Sequence, residues 1–169
     1  MISQKMENSI NEQINSEFYS EYLYLSMQAY FQHINLLGFA NWMDVQAKEE
    51  RAHAMGMFNH LIERGGKVEL KSIGKPQTEW GSALEVFEAS LKHEQSVTQR
   101  INALVELAEE EKDRATMSFL EWYVKEQVEE EFSANSILQK LKLIGDDKNA
   151  LLHLDKDLAS RTFTAPVIG

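Results

Sequence analysis

The stretch Met43-Asp44-Val45-Gln46-Ala47-Lys48-Glu49-Glu50-Arg51-Ala52-His53-Ala54-Met55-Gly56-Met57 reads as helix, and one residue in it is out of place. Met43, Ala47, Ala54 and Met57 recur every three or four residues and form one apolar stripe. Glu50 falls in line with them, and His53, three residues on, shares its face. An ionised carboxylate on a buried stripe costs several kcal/mol unless a cation neutralises it.

The same anomaly recurs along the chain. Glu17 lies 33 residues before Glu50, and Glu94 lies 33 residues before Gln127, which opens Gln127-Val128-Glu129-Glu130. Each half therefore supplies one helix with a Glu and one with a metal-capable i, i+3 pair. Glu17 follows Ile10 and Ile14, and Glu94 is in line with Phe87, Leu91, Val97 and Ile101. Gln127 and Glu130 are in line with Leu120, Val124, Ala134 and Ile137. A single Glu on such a face is usually a rim residue whose stem lies along the core. Four helices carrying one at a common axial level, with no Lys or Arg on these stripes, point instead to metal ions. Four carboxylates, one imidazole and one amide suit iron or manganese better than copper(I) or structural zinc. Glu50, paired with His53, is the natural bridge between two metals.

Around these residues the periodicity predicts helices at about 4–33, 38–65, 82–110 and 114–144. Gly65-Gly66 is a stop signal, Ser82-Ala83-Leu84-Glu85 a capping-box start, Asp113 a cap for the fourth helix and Gly145 its end. A short fifth helix is expected at about 147–159, capped by Asp146 or Asp147, with Ala150, Leu151, Leu154 and Leu158 on one stripe. The links run short, long, short, and the long one can travel back along a ~40 Å helix. The expected fold is all-α: a four-helix bundle over 1–145, with its long crossover between helices 2 and 3. Residues 146–169 form the short fifth helix and C-terminal tail of the same domain.

Composition bounds the function. The chain has 169 residues, 27 acidic against 17 basic, a net charge of −10 and no cysteine. Zero cysteine excludes disulfides, thiolate metal sites and cysteine nucleophiles. The acidic balance argues against nucleic-acid and anionic-membrane partners. Nothing approaches the ~18 apolar residues of a membrane span, and the start lacks the apolar core of a signal peptide. The expectation is a soluble cytoplasmic protein. His33, His60, His93 and His153 lack ligand spacing, and Glu109-Glu110-Glu111 reads as a solvated charge run.

At these residues the chain resembles the non-haem ferritins of bacteria and archaea. Tyr19-Ser20-Glu21-Tyr22-Leu23-Tyr24-Leu25, Gly38-Phe39-Ala40-Asn41-Trp42-Met43 and Glu49-Glu50-Arg51-Ala52-His53-Ala54 carry the resemblance. Phe119-Leu120-Glu121-Trp122-Tyr123-Val124 and Glu126-Gln127-Val128-Glu129-Glu130-Glu131 extend it to nearly the whole chain. It implies a di-iron ferroxidase centre, with Glu17, Glu50 and His53 on one iron and Glu50, Glu94 and Glu130 on the other. Gln127 stands beside the pair, and a third, inner iron site falls on Glu49, Glu126 and Glu129 with Glu130 shared. Tyr24 matches a tyrosine lying against the centre and Trp122 a nearby tryptophan, although aromatic core packing explains either as well.

The resemblance further implies iron storage and detoxification. Iron(II) would be oxidised by dioxygen or hydrogen peroxide and kept as ferric mineral in a 24-subunit homo-oligomeric shell, the fifth helix lining a symmetry axis. Haem is not expected: Arg51 stands where bacterioferritins place the haem-ligating methionine, and Gln127 with Glu130 replaces their second Glu-x-x-His. Two other readings remain open, a ferritin-like di-metal oxidase or peroxide scavenger without mineral storage, and a purely structural acidic bundle.

Overall fold

In the computed structural model, residues 1–168 are described; Gly169, the end of the expected tail, lies outside them. The chain forms α1 (Gln4–His33), α2 (Leu37–Glu63), α3 (Ala83–Glu110), α4 (Arg114–Ile144) and α5 (Lys148–Leu158). Among the described residues there is no strand.

The helix ends follow local chemistry. Ser3 Oγ accepts from the Met6 N–H at 3.0 Å and donates to Glu111 at 2.6 Å, so the first cap also ties α1 to the end of α3. Glu111 is thereby more than part of a solvated run. Ser82 caps α3 through the Glu85 N–H at 3.2 Å, but Glu85 reaches back to the Gly81 N–H at 2.7 Å, one residue beyond the Ser82 N–H of a regular capping box. Asp113 caps α4, and Asp147 rather than Asp146 caps α5.

Helix α2 stops at Glu63, earlier than the glycine pair alone suggested. The Gly66 N–H bonds Leu61 O and the Gly65 N–H bonds Ile62 O, both at 2.9 Å, with Gly65 at φ 75°. This is a Schellman closure, in which the glycine occupies the left-handed position at no steric cost.

Helix α1 packs chiefly on α2, and α3 on α4, while α1 also meets α3 and α5 rests on α2. The long link runs along α1. Asn11 bonds Lys67 O and the Glu69 N–H at 2.9 and 2.7 Å, and Ser26 Oγ donates to Gln77 O at 2.6 Å. Residues 11 and 26 lie roughly 22 Å apart along the helix, which explains the length of this segment. Trp80 then settles edge-on against Tyr30.

The apolar core is in two parts. One cluster, built on Met27, Phe31, Phe39, Trp42 and Phe87, fills one end of the bundle. The other, built on Ile10, Ile14, Met57, Leu61, Ile101 and Leu120, fills the opposite end. Two residues leave their expected stripes: Val124 is 38% exposed and Leu91 only half-buried. A 3–4 pattern marks a face but not its edges, where burial falls off.

Helix α5 presents Leu154 fully to the core, with Leu151 and Leu158 partly buried beside it. Its approach to α2 depends on Gly38, where a Cβ would overlap the Asp155 carbonyl oxygen. Gly38→Ala is therefore expected to lower stability by about 1–3 kcal/mol, outweighing the gain of up to ~1 kcal/mol in helix propensity. Denaturant unfolding measures this, and a midpoint at or above that of the parent protein would contradict the docking.

Candidate metal centre

Between the two apolar clusters lies a layer of buried polar side chains from all four long helices. Gln13, Glu17 and Ser20 come from α1, and Gln46, Glu50 and His53 from α2. Ser90 and Glu94 come from α3, and Gln127 and Glu130 from α4. Glu17, Glu50 and Glu94 are each 1% exposed, less than many core hydrophobics.

Two ligand groups converge in this layer. One oxygen each of Glu17 and Glu50 and a ring nitrogen of His53 lie within 4.8 Å of one another. His53, Glu126 and Glu130 make a second group by the same measure. His53 joins the two, with Nδ1 3.5 Å from Glu50 Oε2 and Nε2 3.9 Å from Glu126 Oε1.

This grouping differs in part from the expected one. Glu94 is in the layer but belongs to neither group, and neutral donors hold both its oxygens. The Tyr24 hydroxyl donates to Oε1, and Gln127 Nε2 donates to Oε2 at 3.3 Å. Glu126, assigned to an inner site that shares Glu130, is grouped with Glu130 and also with His53. Glu49 is half-buried and ion-paired to Arg161 at 2.6 Å, and Glu129 is exposed.

Sequence reasoning missed two residues. Gln13 Nε2 donates to Glu17 Oε1, and Gln46 Nε2 to Glu130 Oε2, both at 2.7 Å. The available signal was that Gln13 and Gln46 stand four residues before Glu17 and Glu50 and repeat the 33-residue offset. Each orients a carboxylate without neutralising it.

What remains unpaired defines the chemistry. Glu17 Oε2, Glu50 Oε1, Gln46 Oε1 and His53 Nε2 are buried with no hydrogen-bond partner. Such atoms are rare in folded proteins, and each costs about 1–3 kcal/mol. Three carboxyl or amide oxygens and one imidazole nitrogen, pointing into one dry layer free of Lys and Arg, match a divalent cation with hard and borderline donors.

The electrostatics agree. Burial pushes the Glu50 carboxyl well above its ordinary range, and the nearby charges of Glu94, Glu17 and Glu130 push it further. Burial likewise raises Glu94 to about 7 and Glu130 to about 8. Without a cation, burial favours the protonated form of these three carboxyls. The Tyr24 hydroxyl is raised well above its ordinary value by burial and then by Glu94, so it donates rather than ionises.

The surrounding aromatics fix His53. Trp122 meets it edge-on at 5.4 Å, and the Tyr123 hydroxyl donates to His53 O at 2.8 Å. The other histidines belong to neither ligand group. His60 stacks on Phe119 at 3.9 Å, His93 bonds Ser20 Oγ at 2.7 Å with its pKa lowered by burial to about 4, and His33 and His153 are exposed.

Comparison with known proteins bears on the same residues. A ferritin-like domain family model matches residues 7–144. The chain is 45% identical over 161 residues to a bacterial non-heme ferritin of Bacteroides fragilis, covering 95% of this chain and 100% of that protein. It is 41% identical over 163 residues to the bacterial non-heme ferritin of Staphylococcus aureus, covering 96% and 98%. Among solved structures, an open pore ferritin from the hyperthermophilic archaeon Archaeoglobus fulgidus superimposes with a TM-score of 0.95 at 57% identity, covering 96% of this chain and 100% of that one. An engineered closed form of the Archaeoglobus fulgidus ferritin gives 0.96 at 57% identity, covering 97% and 100%. A family match over most of the length, with relatives this similar at full coverage, places the chain in the ferritin family, among the non-haem ferritins of bacteria and archaea.

Proposed function

We propose that this protein stores and detoxifies iron, oxidising iron(II) to iron(III) at the buried polar layer and keeping the product as ferric oxide within a shell of its own copies. The observation that carries the reading is the set of unpaired oxygens and imidazole nitrogen held dry between two apolar clusters. Iron is the substrate. Glu17, Glu50 and His53 hold one ion, and Glu50, Glu94 and Glu130 the other, with Glu50 as the bridge. Gln127 stands beside the pair. Glu49, Glu126 and Glu129 form, with Glu130 shared, a third, inner iron site.

The residues divide the work. Gln13 and Gln46 each donate to one oxygen of a carboxylate and leave the other free, while Tyr24 and Gln127 hold the two oxygens of Glu94. Their neutrality leaves the negative charge for the incoming ions. As iron(II) binds, the protons on Glu50, Glu94 and Glu130 depart, because a ligating carboxylate must be ionised. Each iron(II) then gives one electron, and dioxygen or hydrogen peroxide takes the pair. The ionised carboxylates favour the higher charge of iron(III), and hydrolysis to mineral follows. Tyr24, hydrogen-bonded to Glu94, lies within the same network.

A 24-subunit shell and a cytoplasmic setting complete the reading. Apolar residues left exposed on the single chain, among them Tyr22, Leu25, Leu70 and Ile73, support burial against neighbouring copies. Among the described residues no helix is long and apolar enough to cross a membrane.

An anaerobic iron(II) titration followed by air, with particle size measured throughout, tests the proposal. About two to three iron(II) should bind per chain, as a two-metal site with a third position requires, and then oxidise inside a large particle. A monomer or dimer would favour an oxidase without storage, and no binding at neutral pH a structural bundle.

A further inference from the structure

After α5 the chain turns back onto α2. Asn41 Nδ2 donates to the carbonyls of Leu158 and Arg161 at 3.1 and 2.9 Å, pinning the backbone there. The Arg161 guanidinium lies 4.6 Å from the centre of the Trp42 ring. Its Nη2 donates to Glu49 Oε2 at 2.6 Å, and its Nη1 reaches Trp42 O at 3.4 Å. Farther on, Ile168 packs into the second apolar cluster beside Gly56. Residues 161–168 thus follow α2 from Glu49 to Gly56, roughly 11 Å of helix, past Glu50 and His53.

Arg161 has a place that no other basic residue shares. Among the described residues it is the one Lys or Arg paired with a carboxylate of the proposed iron path. It comes from a segment 112 residues away, and both partners are mostly buried, at 25% and 19% side-chain exposure. An ion pair stacked on an aromatic ring in this setting is held firmly. Glu49, so paired, is not part of the His53, Glu126 and Glu130 group, although its charge is felt at Glu130. A singly charged guanidinium held on a carboxylate can be exchanged for a more highly charged ion without leaving that carboxylate unpaired.

Resting on the function proposed above, we infer that Arg161 is a positioning residue that latches Glu49. Its guanidinium fills the carboxylate as an internal cation until an iron ion moving inward replaces it, so the C-terminal strap sets the rate at which the oxidation centre empties. In the exchange the Arg161–Glu49 pair breaks, Glu49 turns toward Glu126 and Glu130, and no electron is transferred.

Calorimetric titration with zinc(II), a redox-inert probe, separates the latch from the oxidation chemistry. The parent protein should bind about two zinc(II) per chain tightly and a third weakly. Arg161→Gln should tighten the third ion about tenfold, leave the first two unchanged, and speed recovery of oxidation activity between iron additions several-fold. Arg161→Lys, which keeps the charge but loses the planar fork, should fall between. Glu49→Gln should abolish the third ion, and adding Arg161→Gln to it should change nothing more. A third-ion affinity unchanged in Arg161→Gln overturns the latch, as does weakening of all ions together with a lowered unfolding midpoint. If the parent protein takes up no ion at all, the proposed function itself fails.

Discussion

Glu50→Ala and His53→Ala are each expected to slow the initial oxidation of iron(II) at least about 100-fold, with the helical fold and particle size retained. Loss of a residue that merely orients a ligand typically costs about 10–100-fold in metal affinity or activity, and a direct ligand costs at least as much. Glu50 stands with Glu17 in the first ligand group, and His53 joins that group to the second, so neither loss can be covered by a neighbour. The fold should survive for an electrostatic reason. Truncating a buried side chain usually costs about 2–5 kcal/mol. At position 50 the truncation also removes a carboxyl that burial and three neighbouring acids already disfavour in its charged form. Replacement of buried charge by apolar groups is often neutral or stabilising. Stopped-flow absorbance of iron(III) gives the rate, and oxidation at the parental rate in either variant would sink the assignment.

Cation binding should stabilise the protein, and more strongly as pH rises. A carboxyl whose folded pKa lies above its ordinary value contributes stability below that value, and the contribution disappears as pH rises through the folded pKa. For Glu94 and Glu130 this window runs from 4.5 up to about 7 and about 8. Across it the metal-free layer accumulates unpaired negative charge in a dry environment. A divalent ion replaces the protons, so its stabilising effect grows over the same range. At a hundredfold excess over Kd the stabilisation is about 2.7 kcal/mol. Scanning calorimetry with and without manganese(II) should show a wider gap between melting temperatures at pH 8 than at pH 5.5. An equal gap at both would mean that the carboxyls are ionised throughout.

Both predictions follow from one division of labour. The apolar clusters at the two ends of the bundle carry the stability, and the layer between them gives some of it up for charge and unpaired oxygen. Gln13, Gln46, Gln127 and Tyr24 supply hydrogen bonds that hold the carboxylates without cancelling them. A Lys or Arg in any of these places would satisfy the layer and leave no need for a metal ion. The expected cost of function is thus a less stable metal-free protein.

Much of this was legible in the amino-acid sequence. The five helices lie within a few residues of their expected spans, since apolar periodicity and capping chemistry act over a few neighbouring residues. The positions of Glu17, Glu50, His53, Glu94, Gln127 and Glu130 in one buried layer were readable too, because a charged residue on an apolar stripe has nowhere else to go. Only the tertiary structure decided which partners those residues take. Gln46 reaches Glu130 across 84 residues of chain, Glu126 as well as Glu50 approaches His53, and Arg161 claims Glu49 from the C-terminal strap. Helical period states which face a side chain occupies, whereas hydrogen bonds and ion pairs depend on helix rotation and rotamer to within a few tenths of an ångström. Those are settled only when the faces meet.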